Sequence, residues 1–153
     1  MPSTVHPEII DLARRIAAAH GLDPALVCAV IEQESAWNPW AVRYEPAFLS
    51  RYVAPLYTAG KLSATEAYTR AMSWGLMQVI GQVARESGFE ETSLAELCDP
   101  ATGIDWGCQI LAKRLARARG DLEAALLAWN GGANPDYPAE VLARTKNYSS
   151  KRP

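Results

Sequence analysis

The sequence predicts one all-α domain that covers the whole chain, residues 1–153. Apolar residues recur at spacings of three and four in one segment after another, as on the buried faces of amphipathic helices. Capping residues followed by proline, and single glycines, separate these segments where helices start and stop. No segment alternates between apolar and polar residues over the length of a strand. A chain of 153 residues forms one domain with a sizeable core, and we expect about six to eight helices.

The first two helices have clear boundaries. Apolar residues fall on one face of a helix predicted over residues 8–19, and Gly21 follows it as a stop signal. Asp23 then precedes Pro24, the order typical of an N-cap and the first helical turn. The second helix is predicted over about residues 24–35.

The middle of the chain is less regular. Residues 36–74 contain three prolines and several aromatic residues, so we expect an irregular segment with two short helices, one of them starting after Ser63. Caps and glycines delimit the helices that follow, which are predicted over about residues 75–87, 100–119, 122–130 and 138–149. Asp99 and Asp121 are the predicted caps of the second and third of these helices.

The composition is that of a globular protein, with 49% apolar residues, 21% charged residues and a formal net charge of −2. A charge this close to zero argues against nucleic acid or an anionic membrane as the main partner. No stretch is long and apolar enough to span a bilayer, so we expect no stable membrane insertion. One basic stretch is interpreted as the solvated face of a helix: Lys113, Arg114, Arg117 and Arg119.

The three cysteines are too few and too widely spaced for a disulfide framework or a zinc site. Cys28 and Cys108 fall in apolar helical stretches, which predicts buried thiols. A disulfide between Cys98 and Cys108 is left open. Because only two histidines are present and they form no cluster with the cysteines, we expect neither a metal nor an organic cofactor.

Two glutamates near the end of the second helix differ in helical phase. Position 34 continues the apolar stripe of Val27 and Val30, whereas Glu32 lies about 200° away around the helix and is interpreted as solvated. A carboxylate on a buried stripe is costly unless it is partnered or neutral. Burial and the negative end of the helix would both raise the pKa of Glu34 toward that of a general acid. The alternative is a helix-end glutamate that its neighbours cap.

Two further stretches have the composition of a binding cleft. In "SWGLMQ", residues 73–78, a glycine lets a ligand or another backbone approach closely; the alternative is a simple helix start. In "AWNGG", residues 128–132, an aromatic ring, an amide and two glycines form a set suited to stacking on sugars and hydrogen bonding to them. The alternative there is a helix C-cap with a packed tryptophan.

In their order along the chain, these stretches resemble the soluble lytic transglycosylase family, which has the lysozyme-like fold with a substrate cleft. The family pattern starts with Glu-Ser, two variable residues, Asn-Pro, one more residue and Ala. The resemblance covers about residues 8–150. The motifs and the closing tyrosine of the family are matched by "ESAWNPWA" (34–41), "GLMQ" (75–78), Asp99-Pro100 with Gly107, "AWNGG" (128–132) and Tyr148.

The resemblance implies an activity and a mechanism. Members of this family cleave the β-1,4 bond between N-acetylmuramic acid and N-acetylglucosamine in peptidoglycan. One glutamate, here Glu34, would protonate the glycosidic oxygen and then accept the proton of the muramic acid 6-hydroxyl, which attacks the anomeric carbon. The product would end in 1,6-anhydromuramic acid. The substrate N-acetyl group is thought to stabilise the cationic centre, so no second carboxylate is required.

The resemblance also implies the surroundings of Glu34. Met77 would line the cleft, Gln78 and Asn130 would bind sugar, and Tyr148 would hydrogen-bond Glu34. Where the family has Val-Ser, this chain has Val42-Arg43, and a longer, tyrosine-rich segment then precedes the second motif. We expect the substrate-binding residues to be Ser35, Arg43, Tyr44, Glu45, Met77, Gln78, Trp129, Asn130 and Tyr148.

Glu45 leaves a second mechanism open. If its carboxylate faced that of Glu34 at roughly 6.5–9.5 Å, Glu45 could activate water and the protein would be an inverting muramidase. Alternatively, Glu45 only holds Arg43, Tyr44 or the longer segment in place. A hypothesis of another class is a non-catalytic peptidoglycan-binding module, as in a phage tail or a secretion apparatus. The glutamate at position 34 argues against it, because binding alone does not need a carboxylate there.

The first residues lack the charged and apolar regions of a signal peptide. We therefore expect synthesis in the cytoplasm and action, as a monomer, on the glycan strands of peptidoglycan in the periplasm. A holin-type membrane pore, a virion or a secretion system would deliver the protein. A phage lysis enzyme and a wall enzyme of a secretion system both fit.

Overall fold

A computed structural model describes residues 6–149. Most of them lie in helices, which confirms the predicted class for the main architecture. The first two helices of the described residues are α1 (Pro7–Ala19) and α2 (Pro24–Ser35). A 3-10 turn (Leu94–Cys98) leads into the C-terminal helices, which are α7 (Pro100–Arg117), α8 (Leu122–Trp129) and α9 (Tyr137–Arg144), followed by a second 3-10 turn (Thr145–Asn147).

Aspartates start three of these helices, as predicted. The side chains of Asp23, Asp99 and Asp121 each accept a hydrogen bond from a backbone N–H in the first turn of the helix that follows. Such caps satisfy donors that the helix itself leaves unpaired. The starts of α2, α7 and α8 are therefore set by local chemistry that is visible in the sequence.

Helix α2 lies at the centre of the core. Every residue from Ala25 to Ile31 is buried, because α1 packs on one side of α2, and α9 with the last 3-10 turn packs on another. The helix is thus apolar all round rather than along one stripe. Its last turn, which carries Glu32 and Glu34, emerges from this core.

A small antiparallel sheet is the main departure from the predicted class. Its strands pair in the order β1 (Val42–Tyr44), β2 (Met72–Trp74) and β3 (Val79–Ile80). The helix predicted over residues 75–87 is wrong in its first half, because α6 begins only at Gly81 and ends at Glu86. Strands of two and three residues are too short to show an alternating pattern.

The segment between β1 and β2 folds as a small lobe beside the sheet, residues 45–71. A second buried cluster, formed by Val53, Ala67 and Ala71, holds the lobe together apart from the main core. Ser63 caps the last helix of the lobe, as predicted. The helical elements of the lobe are α3 (Pro46–Phe48), a π-helical turn (Leu49–Val53), α4 (Ala54–Thr58) and α5 (Ala64–Arg70).

Glu66 connects this lobe to the main body. Its Oε1 accepts a hydrogen bond from Arg70 Nε in the same helix and another from Arg85 Nε in α6, both at 2.8 Å. Burial opposes ionisation of Glu66, but the hydrogen bonds and charges of the two arginines outweigh it and lower the pKa. The carboxylate is therefore charged at neutral pH.

All three cysteines are buried free thiols, so Cys98 and Cys108 form no disulfide. Burial raises the pKa of Cys28 to about 11 and that of Cys108 to about 12, as expected for unreactive core thiols.

Within residues 6–149, no helix is both long and apolar enough to cross a membrane. In the same range, His, Cys, Asp and Glu side chains form no group of three or more placed to hold a metal ion.

The turn between β2 and β3 leaves no room for a side chain at Gly75. Its φ is +71°, and a Cβ at this position would overlap the carbonyl oxygen of Leu97. The N–H of Gly75 donates to the carbonyl oxygen of Ala41 at 2.8 Å, so the backbone is held on both sides. Glycine is required here both for the left-handed conformation and for the close approach.

We expect Gly75→Ala to lower the free energy of unfolding by about 3 kcal/mol or more, because the conformational cost and the backbone clash add. Gly60→Ala is a matched control: Gly60 has a φ of +73°, but a Cβ added there would meet no atom within 4 Å. Only the conformational cost of about 1 kcal/mol remains at that position. Denaturant unfolding measures both losses, and equal losses would contradict the close approach at Gly75.

Candidate active site

Glu34 lies in the last turn of α2 and faces a cleft. The chain leaves the helix through two residues in the left-handed region, Ala36 (φ 48°) and Trp37 (φ 65°), and so turns away sharply. The sheet forms one side of the cleft, and α7 and α8 form the other. Eleven described residues line the cleft. They are Glu34 from α2, Arg43, Ser73, Val79 and Ile80 from the strands, Gln78 from the β2–β3 turn, Val83 from α6, Ile110 and Arg114 from α7, and Trp129 and Asn130 at the end of α8.

One oxygen of the Glu34 carboxyl group is hydrogen-bonded to protein side chains, and the other faces the cleft without a partner among the described residues. Oε1 accepts a hydrogen bond from the Tyr137 hydroxyl at 2.5 Å and one from Trp129 Nε1 at 3.3 Å. Oε2 accepts no hydrogen bond from the described residues and is not sealed off from the cleft. Tyr137 and Trp129 therefore fix the orientation of the carboxyl group, while Oε2 stays available to a ligand.

Burial raises the pKa of Glu34 above its ordinary value. The hydrogen bonds from Tyr137 and Trp129, and then the positive charge of Arg43, stabilise the carboxylate and lower the pKa, but by less than burial raises it. The net upward shift increases the protonated fraction of Glu34 near neutral pH. A carboxyl group with this pKa and one open oxygen is suited to donate a proton to a ligand in the cleft.

One face of the sheet forms a wall of the cleft. Arg43, Ser73 and Ile80 are register partners across the three strands, so their side chains lie on the same face. Tyr44, the next residue in β1, points to the opposite face, where it is 41% exposed and its ring centroid lies 6.0 Å from that of Tyr68. The structure therefore places Tyr44 outside the cleft that we expected it to line.

Arg43 and Glu45 form an ion pair beside the cleft. Arg43 Nε donates a hydrogen bond to Glu45 Oε1 at 2.5 Å, and the backbone N–H of Glu45 donates to the carbonyl oxygen of Ala71. Glu45 is not among the described residues that line the cleft. Of the roles considered for Glu45, this geometry matches the one in which it holds Arg43 in place.

The structure places Gln78, Trp129 and Asn130 in the cleft. The amide nitrogen of Gln78 donates to the carbonyl oxygens of Ala41 and Gly75, both at 2.9 Å. These bonds secure the turn and leave the side-chain oxygen of Gln78 for a ligand. Contact of these residues with a substrate stays a prediction.

Two residues predicted for the site stabilise the fold instead. Met77 is fully buried and packs against α7 at Gly107, where a Cβ would overlap its sulfur. The prediction that Met77 lines the cleft is therefore wrong. The hydroxyl group of Ser35 is 2.8 Å from the carbonyl oxygen of Leu76 and 3.1 Å from that of Ile31, so Ser35 joins the end of α2 to the β2–β3 turn rather than lining the cleft.

The tyrosine that contacts Glu34 is not the predicted one. The Tyr148 hydroxyl donates to Glu32 Oε2 and accepts a hydrogen bond from Trp37 Nε1 at 2.8 Å. The prediction that Tyr148 bonds to Glu34 is therefore wrong, and Tyr137 takes that place. Both tyrosines follow the "AWNGG" motif. Tyr137, which directly precedes a proline, is the first residue of α9, and this helix-start signal could have singled it out.

Glu32 is not the solvated residue that we expected. In addition to Tyr148, Arg144 Nη1 donates to Glu32 Oε1 at 2.9 Å. The helical phase separated the two glutamates correctly. However, α9 and the last 3-10 turn cover the face of α2 that carries Glu32.

Arg114 also differs from its predicted role on a solvated helix face. It lines the cleft together with Ile110, one turn earlier on α7. Its Nε is buried and has no hydrogen-bond partner among the described residues. The other basic residues of this stretch are exposed, as expected: Lys113, Arg117 and Arg119.

Comparison with protein families agrees with this site. The family model for the transglycosylase SLT domain matches residues 11–150. The chain belongs to this family. Residues 11–150 include all four matched motifs, so the resemblance inferred from them is confirmed.

Relatives of this SLT-domain chain include a transglycosylase of Enterobacteria phage PRD1. It is 31% identical over 135 residues, which are 88% of this chain and 38% of that protein. The membrane-bound lytic murein transglycosylase C of Edwardsiella ictaluri is 28% identical over 131 residues, 81% of this chain and 31% of the relative. The chain thus spans well under half the length of these curated relatives. No solved structure gives a significant match.

We expect Tyr137→Phe to raise the pKa of Glu34, because it removes a donor that stabilises the carboxylate. Tyr148→Phe is the matched control, since it removes a hydroxyl group that bonds to Glu32 instead. A ¹³C NMR titration of the Glu34 carboxyl carbon measures both variants. A shift with Tyr148→Phe and none with Tyr137→Phe would show that the two tyrosines are assigned the wrong way round.

We also expect Glu34→Gln to stabilise the protein at pH 7, by on the order of 1 kcal/mol. Because the folded-state pKa is raised, the protonated form of Glu34 supports the fold at low pH, and this contribution is lost as pH rises through the folded-state pKa. The glutamine keeps an oxygen for both donors of Oε1. Denaturant unfolding at pH 7 and at pH 3 tests this prediction. A gain of the same size at pH 3, where the glutamate is protonated in both states, would contradict it.

Proposed function

We propose that the protein is a lytic transglycosylase that cleaves the β-1,4 bond between N-acetylmuramic acid and N-acetylglucosamine in peptidoglycan. The observation that carries this proposal is the single carboxyl group of the cleft: among the described residues that line it, Glu34 alone is acidic. Two-carboxylate glycosidases need a second carboxylate about 5–9.5 Å away. One carboxyl group is enough if the substrate supplies its own nucleophile.

In the first step, Glu34 Oε2 carries a proton and donates it to the glycosidic oxygen, so that the bond between this oxygen and the muramic acid C1 breaks. The leaving N-acetylglucosamine gains a hydroxyl group. Burial favours the protonated carboxyl group before this step. Tyr137 and Trp129 stabilise the carboxylate that remains afterwards, because both donate to Oε1.

In the second step, the carboxylate of Glu34 accepts the proton of the muramic acid 6-hydroxyl group. The oxygen of that group bonds to C1 and forms the 1,6-anhydro ring, and Glu34 is protonated again. The open position of Oε2 suits both steps, because one oxygen gives the proton and takes one back from the same side. No water is consumed.

The polar groups of the cleft are proposed to hold the sugars. Gln78 has an unused side-chain oxygen, Asn130 lies at the end of α8, and the Trp129 ring is in the wall next to Glu34. Arg43 stands where the family pattern has serine; it lines the cleft and pairs with Glu45 beside it. Charge-assisted hydrogen bonds from Arg43 would replace those of the hydroxyl group.

The proposed place of action is the peptidoglycan layer. The names of the relatives support this, since one is a lytic murein transglycosylase and another a phage transglycosylase. Delivery through a holin-type pore, a virion or a secretion system stays a prediction, as does action as a monomer.

A muramidase is the second candidate function. The observation that bears on it is position: Glu45 lies beside Arg43, a residue of the cleft wall, although the ion pair between the two matches a holding role. Released from Arg43, the Glu45 carboxylate would be a base for water. The product would then carry a reducing muramic acid end instead of an anhydro end.

Mass spectrometry of the products from purified peptidoglycan tests these functions. We expect anhydromuramic ends from the wild type, a loss of about a thousandfold in rate for Glu34→Gln, and unchanged product chemistry for Glu45→Gln. Reducing ends that disappear in Glu45→Gln would identify a muramidase. The absence of soluble products from the wild type would favour a non-catalytic binding module, and normal activity of Glu34→Gln would refute the assignment of Glu34.

A further inference from the structure

A second concavity continues the cleft along α7. Both concavities share Val83, Ile110 and Arg114, and the second is lined in addition by Lys113 and Arg117. We call this continuation the basic groove and define it by Lys113, Arg114 and Arg117. Arg114 is the basic residue that lines both the catalytic cleft and the basic groove.

The cations of the basic groove have no anionic partner within the part of the chain that the structure describes. None of the three forms a salt bridge among residues 6–149, and Arg114 Nε is buried without an acceptor in the same range. Glu86 also lines the groove, but its carboxylate accepts a hydrogen bond from Gln82. A buried donor without an acceptor is costly. The terminal nitrogens of Arg114 also donate no hydrogen bond to a described residue but are not buried, so an anion in the groove can reach them.

The helix dipole at the end of α7 does not by itself explain why these cations line the groove. Arg114 and Arg117 lie in the last turn of α7, where the helix dipole favours positive charge. Cations that serve only this purpose extend their charged ends into water, as the exposed Arg119 can. Arg114 instead has a buried Nε in the wall of the cleft that holds Glu34.

We propose that the basic groove binds a carboxylate of the stem peptide carried by the muramic acid at the scissile bond. This inference rests on the proposed peptidoglycan substrate. The N-acetylated sugars of the glycan are uncharged, whereas the stem peptide, attached through the lactyl group of muramic acid, carries free carboxylates. With the sugar next to Glu34, the peptide leaves the cleft sideways along α7, and Arg114 pairs with its carboxylate by charge-assisted hydrogen bonds.

The test compares stem-bearing glycan strands, whose stem peptides keep their free carboxylates, with the same strands after chemical amidation of those carboxylates, which we call amidated strands. Amidation removes the negative charge, whereas cutting off the peptide would expose the lactyl carboxylate of muramic acid. We expect the double variant Lys113→Gln/Arg117→Gln, which lies outside the catalytic cleft, to lower kcat/KM on stem-bearing strands about tenfold and to change it little on amidated strands. Arg114→Gln, whose residue also lines the cleft, should lower kcat/KM about tenfold more on stem-bearing strands than on amidated strands. Arg114→Lys should keep part of the preference for stem-bearing strands, and added salt should weaken that preference. Arg15→Gln, an exposed site on α1, controls for the change in net charge.

An equal loss on both substrates would overturn the proposal, because Arg114 would then act on the glycan or on the fold. No loss on either substrate would overturn it as well. The double variant changes exposed residues only, so it keeps the test valid if Arg114→Gln unfolds.

If the wild type cleaves neither substrate, the proposed activity fails. Calorimetry with a muramyl peptide and with its amidated, uncharged counterpart still tests the groove, and equal affinity for the two would refute it.

Discussion

The burial of α2 is the constraint on which the site depends. A helix that is enclosed from Ala25 to Ile31 cannot rotate or slide, so the residue at its last exposed turn has a fixed position. The surrounding contacts then refine the orientation of Glu34: Ser35 joins the helix end to the β2–β3 turn, and Tyr137 and Trp129 hold one carboxyl oxygen. The core thus determines the position of the Glu34 carboxyl group, because α2 is buried in the core and ends at the cleft.

The same arrangement explains how one group can serve as acid and base. Burial alone would favour the protonated form of Glu34 and raise the free energy of its carboxylate. Hydrogen-bond donors alone would stabilise the carboxylate and make it a weak base. The structure combines both influences on a single side chain. Burying Glu34 lowers the stability of the fold. The same burial makes the group suited both to donate and to accept a proton.

Much of the architecture was predictable because its causes are local. Asp23, Asp99 and Asp121 each cap the helix that immediately follows, and the ordered motifs identify the family. The errors concern contacts between distant parts of the chain. The choice between Tyr137 and Tyr148 depends on how α9 crosses α2, the burial of Met77 depends on Gly107 in another helix, and the strands are defined only by their pairing. The spacing of residues within one segment does not predict contacts between distant segments.

The lobe of residues 45–71 follows the strand that carries Arg43 and is held differently from the main core. Its buried cluster is small and separate, and the ion pair between Glu66 and Arg85 joins it to α6. Since the pKa of Glu66 is lowered in the folded state, the stabilisation it provides is lost as pH falls through that value. Acid therefore weakens this attachment of the lobe to α6. The strand carrying Arg43 leads directly into the lobe, whereas Glu34 ends a helix of the main core, so the two cleft residues are anchored in different parts of the fold.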